Sequence, residues 1–280
     1  MDLFFDLLRS LIYGVIEGIT EWLPISSTGH MILAEQVLKF SFSAEFMEMF
    51  RVVIQLGAIL AVVVMYFKKL WPFCVDNGRD SGLAKHVRWP VMRLWFKIIV
   101  ACLPAAVLGL ALDDWIDAHF YNSVVVAVML IVYGIAFILI ERRPRVPTTT
   151  KLSRITYRQA LIVGAWQVLA LIPGTSRSGS TIIGGLLCGM SRACASQFTF
   201  FLAIPVMAGA SGLKLVKFLV GGGVFTVAEI GALLVGCIVA FVVSIMAIRF
   251  LMDYVKKHTF TIFGWYRIAL GILVLGIWAL

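Results

Sequence analysis

The sequence predicts an all-α, polytopic membrane protein of about six transmembrane helices plus two re-entrant helix pairs, arranged as an inverted-topology repeat. Three observations carry that prediction. Hydrophobic residues make up 61% of the 280 and charged residues only 14%, more apolar surface than a water-soluble chain of this size covers with polar groups. Apolar runs recur at the length needed to cross a bilayer. Two polar cassettes, Glu17-Gly-Ile-Thr-Glu21-Trp-Leu-Pro24-Ile-Ser-Ser-Thr-Gly-His30 and Pro173-Gly-Thr-Ser-Arg177-Ser-Gly-Ser-Thr181, interrupt that background. Charge and irregular backbone are costly there unless they line a site.

From the N-terminus, the apolar segment 3–19 follows Asp2 and contains Asp6, with no basic leader and no small-residue cleavage pattern, so it is read as part of the mature fold. It runs into the first cassette, and residues 31–38 resume after Pro24. Proline disfavours helical dihedrals in the residue before it and Gly29 permits a close turn, so the two pieces are expected to form a hairpin that turns back within the membrane. Spans follow at 49–67, 94–112 and 124–140. The second hairpin, 160–172 and 182–190, turns at Pro173 with Gly174 and Gly179 beside it. Further spans at 198–213, 225–247 and 262–280 complete the six, and Pro104 and Pro205 predict kinks in two of them. The Pro24 segment aligns with the Pro173 segment so that Ser27 matches Ser176 and Thr28 matches Arg177. That faint repeat divides one membrane domain, 1–280, into halves 1–140 and 155–280 about a linker, 141–158. Broken helices in inverted repeats build central substrate sites in transporters, so architecture alone leaves both a transporter and an enzyme open.

Loop charge orients the chain. Lys68, Lys69, Arg79, Lys85, Arg88, Arg93 and Lys97 outnumber Asp76 and Asp80, and Arg142, Arg143, Arg145, Lys151, Arg154 and Arg158 outnumber Glu141. Both stretches are therefore expected in the cytoplasm, with the acidic loop around Asp113, Asp114, Asp117 and His119 outside and the C-terminus external. Lys214 and Lys217 are a weaker, contrary signal. The formal net charge of +9 is accounted for by this orientation and by attraction to anionic lipid, with no patterned surface calling for nucleic acid. Five cysteines lack metal-ligand spacing and read as small packing residues. A Walker lysine and a nucleotide-binding βαβ unit are absent from the sequence pattern.

The cassettes point to phosphate chemistry. Glu17 and Glu21 fall on one face if their segment is helical, and two carboxylates so close call for a metal ion, a basic partner or a shared proton. Ser26, Ser27 and Thr28 place hydroxyls at a helix start, where unpaired N–H groups favour an anion, and His30 is near enough to act as acid or base. In the second cassette Gly174 and Gly179 allow close backbone approach; Thr175, Ser176, Ser178 and Ser180 supply neutral donors; and Arg177 supplies a cationic fork suited to phosphate, or a structural partner for Glu17 or Glu21. Arg51, Gln55 and Gln167 are candidates for lining an access path or for ordinary interhelical hydrogen bonds.

The Glu-x-x-x-Glu pattern at Glu17 and Glu21, the Ser-Ser-Thr-Gly-His run ending at His30, and the Pro-Gly-x-Ser-Arg-Ser-x-x-Thr pattern from Pro173 to Thr181 resemble those of the bacterial undecaprenyl-diphosphate phosphatase family of the BacA/UppP type, and the resemblance covers essentially the whole chain. It implies a plasma-membrane enzyme that releases the terminal phosphate of undecaprenyl diphosphate, recycling the carrier lipid for peptidoglycan synthesis and conferring bacitracin resistance. It further implies re-entrant helices, a site open to the extracytoplasmic side, Glu17, Glu21, Ser27, His30 and Arg177 as catalytic candidates, and Ser26, Thr28, Gly174, Thr175, Ser176 and Ser178 as a phosphate pocket. A divalent cation, Mg²⁺ or Ca²⁺, is the expected cofactor, held by Glu17 and Glu21. Undecaprenyl diphosphate and membrane lipid are the expected partners, with no nucleic acid. Either Ser27 attacks phosphorus, activated by His30, or water attacks directly. A transporter or flippase for an anionic polyprenyl lipid is the alternative reading.

Overall fold

Twelve α-helices account for most of the described residues, which in the computed structural model are 2–75, 85–120, 122–143 and 146–279, the side chains of Asp2, Asp113, Asp114, Asp117, Trp278 and Ala279 excepted. They are α1 (Asp2–Thr20), α2 (Ser27–Val37), α3 (Ala44–Val53), α4 (Gln55–Met65), α5 (Phe67–Leu70), α6 (Trp89–Phe120), α7 (Ser123–Glu141), α8 (Tyr157–Val168), α9 (Arg177–Leu187), α10 (Arg192–Val220), α11 (Val227–Lys257) and α12 (Thr261–Ala279). Two isolated β-bridges, Phe73 with Val87 and Thr149 with Met190, replace any sheet among these residues. The chain is thus an all-α, polytopic membrane protein.

Five stretches are long and apolar enough to cross a bilayer: Ala44–Met65, Trp89–Leu112, Ser123–Glu141, Arg192–Val220 and Val227–Lys257. The last predicted span falls on α12, whose apolar part is the shorter Thr261–Ile277. Leu234, Ile238, Val242 and Met246 stay exposed at every fourth position of α11, the row a lipid-facing stripe occupies.

Several boundaries differ from the sequence expectation, each for a local reason. Segment 49–67 is two helices, α3 and α4, meeting at Ile54. The residues expected as an acidic loop around Asp113 continue α6 to Phe120, because no helix breaker stands before Asn122, which caps α7 instead. The span expected at 198–213 reaches from a Ser191 cap to Val220 and takes in Lys214 and Lys217, with Lys214 pairing with Glu48. Pro104 and Pro205 lie inside continuous helices. Asp76, Arg79, Asp80 and Arg145 lie outside the described residues. All five cysteines are free thiols.

Small residues set the closest helix crossings, as expected where lipid removes the hydrophobic drive between helices. A Cβ built on Gly134 of α7 would lie 2.7 Å from the Gly264 carbonyl of α12, and one built on Gly264 would lie 2.7 Å from the Gly134 carbonyl. Likewise a Cβ built on Gly14 of α1 would lie 2.7 Å from the Gly236 carbonyl of α11, and one built on Gly164 of α8 would lie 2.3 Å from the Ala101 carbonyl of α6. Trp22, Phe137, Phe198, Phe200, Phe201 and Phe260 anchor the main core, and Tyr13, Phe46, Phe50 and Ile54 anchor a second beside it. At one end of the bundle the Glu141 carboxylate ties α7 to α10 and to the turn before α12, accepting from Arg192 Nε at 2.8 Å and Nη2 at 2.5 Å and from the Phe260 amide at 3.0 Å.

Candidate functional site

Both cassettes fold as helix–break–helix. At the first, α1 gives way to a turn over Glu21–Ile25 and α2 starts at Ser27; at the second, α8 ends in a 3₁₀ turn, Leu169–Leu171, and α9 starts at Arg177. Ser26 and Ser176 precede the new helices with φ of 74° and 71°, the positive-φ non-glycine residues among the described ones. Each caps its helix: Ser26 Oγ accepts from the Gly29 amide at 3.3 Å, and Ser176 Oγ from the Gly179 amide at 3.1 Å. Serine held at positive φ costs of order 1 kcal/mol or more, and such strain gathers at functional sites. The caps make Ser26 the counterpart of Ser176. This corrects the alignment on Pro24 and Pro173 by one residue, since the second break carries Gly174-Thr175 where the first has only Ile25. Gly174 has φ +89° and would place a Cβ 2.5 Å from the Val126 carbonyl, so this loop lies directly on α7.

Glu21 joins the two breaks. Its Oε1 accepts from Arg177 Nη2 at 2.7 Å and Nε at 3.2 Å, and its Oε2 accepts from the Ser27 hydroxyl at 3.0 Å. Both partners of the ion pair are nearly buried, where a charge-assisted fork is strong and a lone charge would be expensive. The guanidinium is framed further: Nη1 donates to the Thr199 carbonyl at 3.1 Å, and its carbon stands 5.9 Å from the Trp22 ring centre. Thr199 is positioned by its hydroxyl, which donates to Thr181 Oγ1 at 2.9 Å. Glu17 lies one turn before Glu21, whose amide donates to the Glu17 carbonyl at 3.1 Å. Its carboxylate is 1% exposed, and Oε1 has no hydrogen-bond partner. The Ser178 hydroxyl reaches across to the Leu23 carbonyl at 3.4 Å and also meets Ser176 Oγ at 3.2 Å.

His30 is occupied on both sides. Nδ1 lies 2.7 Å from the Ser26 carbonyl, which can only accept, so Nδ1 carries the proton; Nε2, 2.7 Å from the Tyr266 hydroxyl, then accepts in the neutral ring. The two rings stack nearly parallel, 5.7 Å apart. Ser27 therefore hydrogen-bonds Glu21 and not His30. Of the remaining predicted residues, Thr28 sits in the first turn of α2 with no hydrogen bond among the described residues, and Thr175 Oγ1 is buried without a partner. Arg51 pairs with Glu35, and Gln167 is 2% exposed with neither side-chain atom paired.

Sequence reasoning missed Tyr266 and Arg267 on α12 and Thr199 on α10. Arg267 carried a readable signal, an ionisable residue in the middle of an apolar helix. It is fully buried, and its guanidinium donates to carbonyls of both breaks: Pro24 at 3.3 Å, Gly174 at 2.9 Å and Thr175 at 2.9 Å. Tyr266 and Thr199 had no such signal, since their side chains matter only through the neighbours that the packing supplies.

Two tips that bring a carboxylate, a hydroxyl, an imidazole, an arginine fork and two helix starts together in an apolar helical bundle suit a phosphorylated lipid. Comparison with known proteins gives the same direction. The chain is 59% identical over 278 residues to an undecaprenyl-diphosphatase of Enterococcus faecalis, covering 99% of each chain. It is 57% identical over 274 residues to one of Lactococcus lactis, covering 96% of each, and 57% identical over 276 residues to one of Desulfitobacterium hafniense, covering 96% of this chain and 95% of that one. Residues 10–273 match the family model described as bacitracin resistance protein BacA, and the chain belongs to that family.

Proposed function

We propose that this chain hydrolyses undecaprenyl diphosphate to undecaprenyl phosphate and inorganic phosphate, and so recycles the carrier lipid for peptidoglycan synthesis and withdraws the diphosphate form that bacitracin captures. The observation that carries the chemistry is the double engagement of Glu21, with Arg177 on one oxygen and Ser27 on the other. In this reading Ser27 Oγ attacks the terminal phosphorus as its proton passes to Glu21, and the bond to the bridging oxygen breaks so that undecaprenyl phosphate leaves with the electron pair. Water then attacks the phosphoserine phosphorus, the P–Oγ bond breaks as Ser27 Oγ takes back the proton held by Glu21, and inorganic phosphate leaves. Arg177 clamps the terminal phosphate, while amides at the starts of α2 and α9 meet charge on its oxygens. Ser26, Ser176 and Ser178 hold those helix starts in place. Glu21 takes the role first given to His30, because both His30 ring nitrogens are engaged, with Ser26 and Tyr266; His30 is left to hold the Ser26 carbonyl at the start of α2.

A divalent cation, Mg²⁺ or Ca²⁺, fits the donor set: Glu17 offers an unpartnered, buried carboxylate oxygen beside Glu21, and two carboxylates plus substrate phosphate are a usual way to hold Mg²⁺. When bound it supplies charge neutralisation at the diphosphate.

The same reading includes the topology. Six spans and two re-entrant pairs, α1–α2 and α8–α9, make two inverted halves, 1–140 and 155–280, joined by 141–158. The matched caps at Ser26 and Ser176 support it. So does the exchange in which α1 seats on α11 through Gly14 and α8 seats on α6 through Gly164. The site then opens to the extracytoplasmic face of the plasma membrane, with the polyprenyl tail left in lipid.

Phosphate release from detergent-purified protein given C55 prenyl diphosphate, with Mg²⁺, Ca²⁺ or chelator, tests the reading. Release by the parent and none by folded Arg177→Ala or Ser27→Ala is expected. Folded parent that releases no phosphate, yet moves the lipid across a vesicle bilayer, would replace hydrolysis with transport.

A further inference from the structure

The two breaks are held to each other by more than the Glu21–Arg177 pair, and the second tie comes from a helix that neither cassette contains. Arg267 is one turn beyond Gly264, where α12 lies hardest against α7, and one turn before Gly271, whose Cβ would fall 2.8 Å from the Ala127 carbonyl. Between these crossings its side chain is driven inward. There it donates to five backbone carbonyls: Pro24 in the first break, Gly174 and Thr175 in the second, and Met129 and Leu130 on α7 at 3.4 and 3.5 Å. No carboxylate pairs with it among the described residues. Pro24, Gly174 and Thr175 lie outside the helices, so their carbonyls need a donor that a lipid interior does not offer. Nη1 also lies against the first turn of α9, 3.3 Å from where a Gly179 Cβ would be.

A buried guanidinium without an anion costs desolvation that neutral carbonyls only partly return. We infer that Arg267 is a positioning residue for phosphoryl transfer, setting the separation of the two breaks and placing a fixed positive charge behind the tips that receive the diphosphate. It acts through the Ser26 and Ser176 caps, whose neighbouring carbonyls it grips, and so governs where Ser27 and Arg177 stand. Lysine in its place keeps the charge but reaches fewer carbonyls, and methionine keeps bulk alone.

This inference rests on the phosphatase reading, and the experiment separates the two. Steady-state phosphate release from C55 prenyl diphosphate is measured for the parent, Arg267→Lys and Arg267→Met, each taken from the monodisperse fraction with its thermal unfolding midpoint. The expected result is a kcat reduced at least about tenfold in Arg267→Met, since small misplacements of reacting groups carry costs of that order. Arg267→Lys should fall between it and the parent, with KM within about threefold throughout. Parental kcat in folded Arg267→Met, or a rate that follows the unfolding midpoint and not the presence of a cation, would overturn the inference. Where neither variant folds, Gly179→Ala is read beside Ser176→Ala, because its Cβ would lie 3.3 Å from both Arg267 Nη1 and the Ser176 hydroxyl: a kcat lowered beyond that of Ser176→Ala at unchanged KM supports positioning, and a kcat no lower than that of Ser176→Ala refutes it. No phosphate release by the parent would instead defeat the phosphatase reading itself.

Discussion

At the first break the chain passes Pro24-Ile25-Ser26 into α2, and at the second Pro173-Gly174-Thr175-Ser176 into α9; both end in a serine at positive φ whose hydroxyl takes the amide three residues on. Around that shared cap the side chains diverge. The first break carries Glu17, Glu21, Ser27 and His30, all able to accept or move a proton, and the second carries Arg177 with neutral hydroxyls. One backbone device thus presents carboxylates and an imidazole at the first break and a guanidinium with neutral hydroxyls at the second. Their surroundings differ as well, since Gly174 lies on the α7 backbone while Ile25 carries a full side chain.

The largest expected effect comes from separating the halves. Arg177→Ala and Glu21→Ala should each lower kcat/KM by about 100-fold or more, and the double variant should be little worse than either, as for groups that act as a unit. Phosphate-release kinetics on the four proteins would show it, and fully additive losses would mean that the halves work independently.

Next is the tighter seat of the second break. Gly174→Ala adds a methyl 2.5 Å from the Val126 carbonyl at a positive φ, a burden of about 2–4 kcal/mol, whereas Ile25→Val, which trims one methylene at the matching place, should cost about 0.5–1.5 kcal/mol through lost packing alone. Thermal or denaturant unfolding in detergent compares the two. Equal losses would remove the asymmetry.

The caps themselves should behave alike. Ser26→Ala and Ser176→Ala each lose a helix cap, about 1 kcal/mol, and the glycine variants only a few tenths because glycine accepts the backbone without strain. An alanine loss confined to one break would show that the two caps are not equivalent. Smallest of all, Tyr266→Phe removes one hydrogen bond from His30 while the Ser26 carbonyl still holds the other nitrogen. A kcat lower by about two- to tenfold is expected, the range of a single hydrogen bond. A loss as large as that of Arg177→Ala would place Tyr266 in the chemistry itself.

Much of this was legible in one dimension. Apolar runs showed where helices cross, because lipid leaves the backbone no other way to satisfy itself. The cassettes stood out because Glu17, Glu21 and Arg177 have no business in hydrocarbon without a partner. What misled was local. Pro24 and Pro173 were the obvious landmarks for alignment, but the register belongs to the caps, and a cap is a backbone conformation that composition does not display. The acidic run near Asp113 looked like a loop by charge, yet nothing in it breaks a helix, and α6 continues through it to Phe120.

Sequence by itself determined the medium, most of the helices, the two breaks and residue types suited to phosphate, since each depends on neighbours within a turn or two. Only the tertiary structure decided that Glu21 serves Ser27 and Arg177 together, that His30 faces Tyr266, and that Arg267 ties both breaks to α7. The longest of those pairings, Glu21 with Arg177 and His30 with Tyr266, join residues more than a hundred positions apart, and they exist because helices meeting at glycines come close enough for side chains on separate helices to share one site.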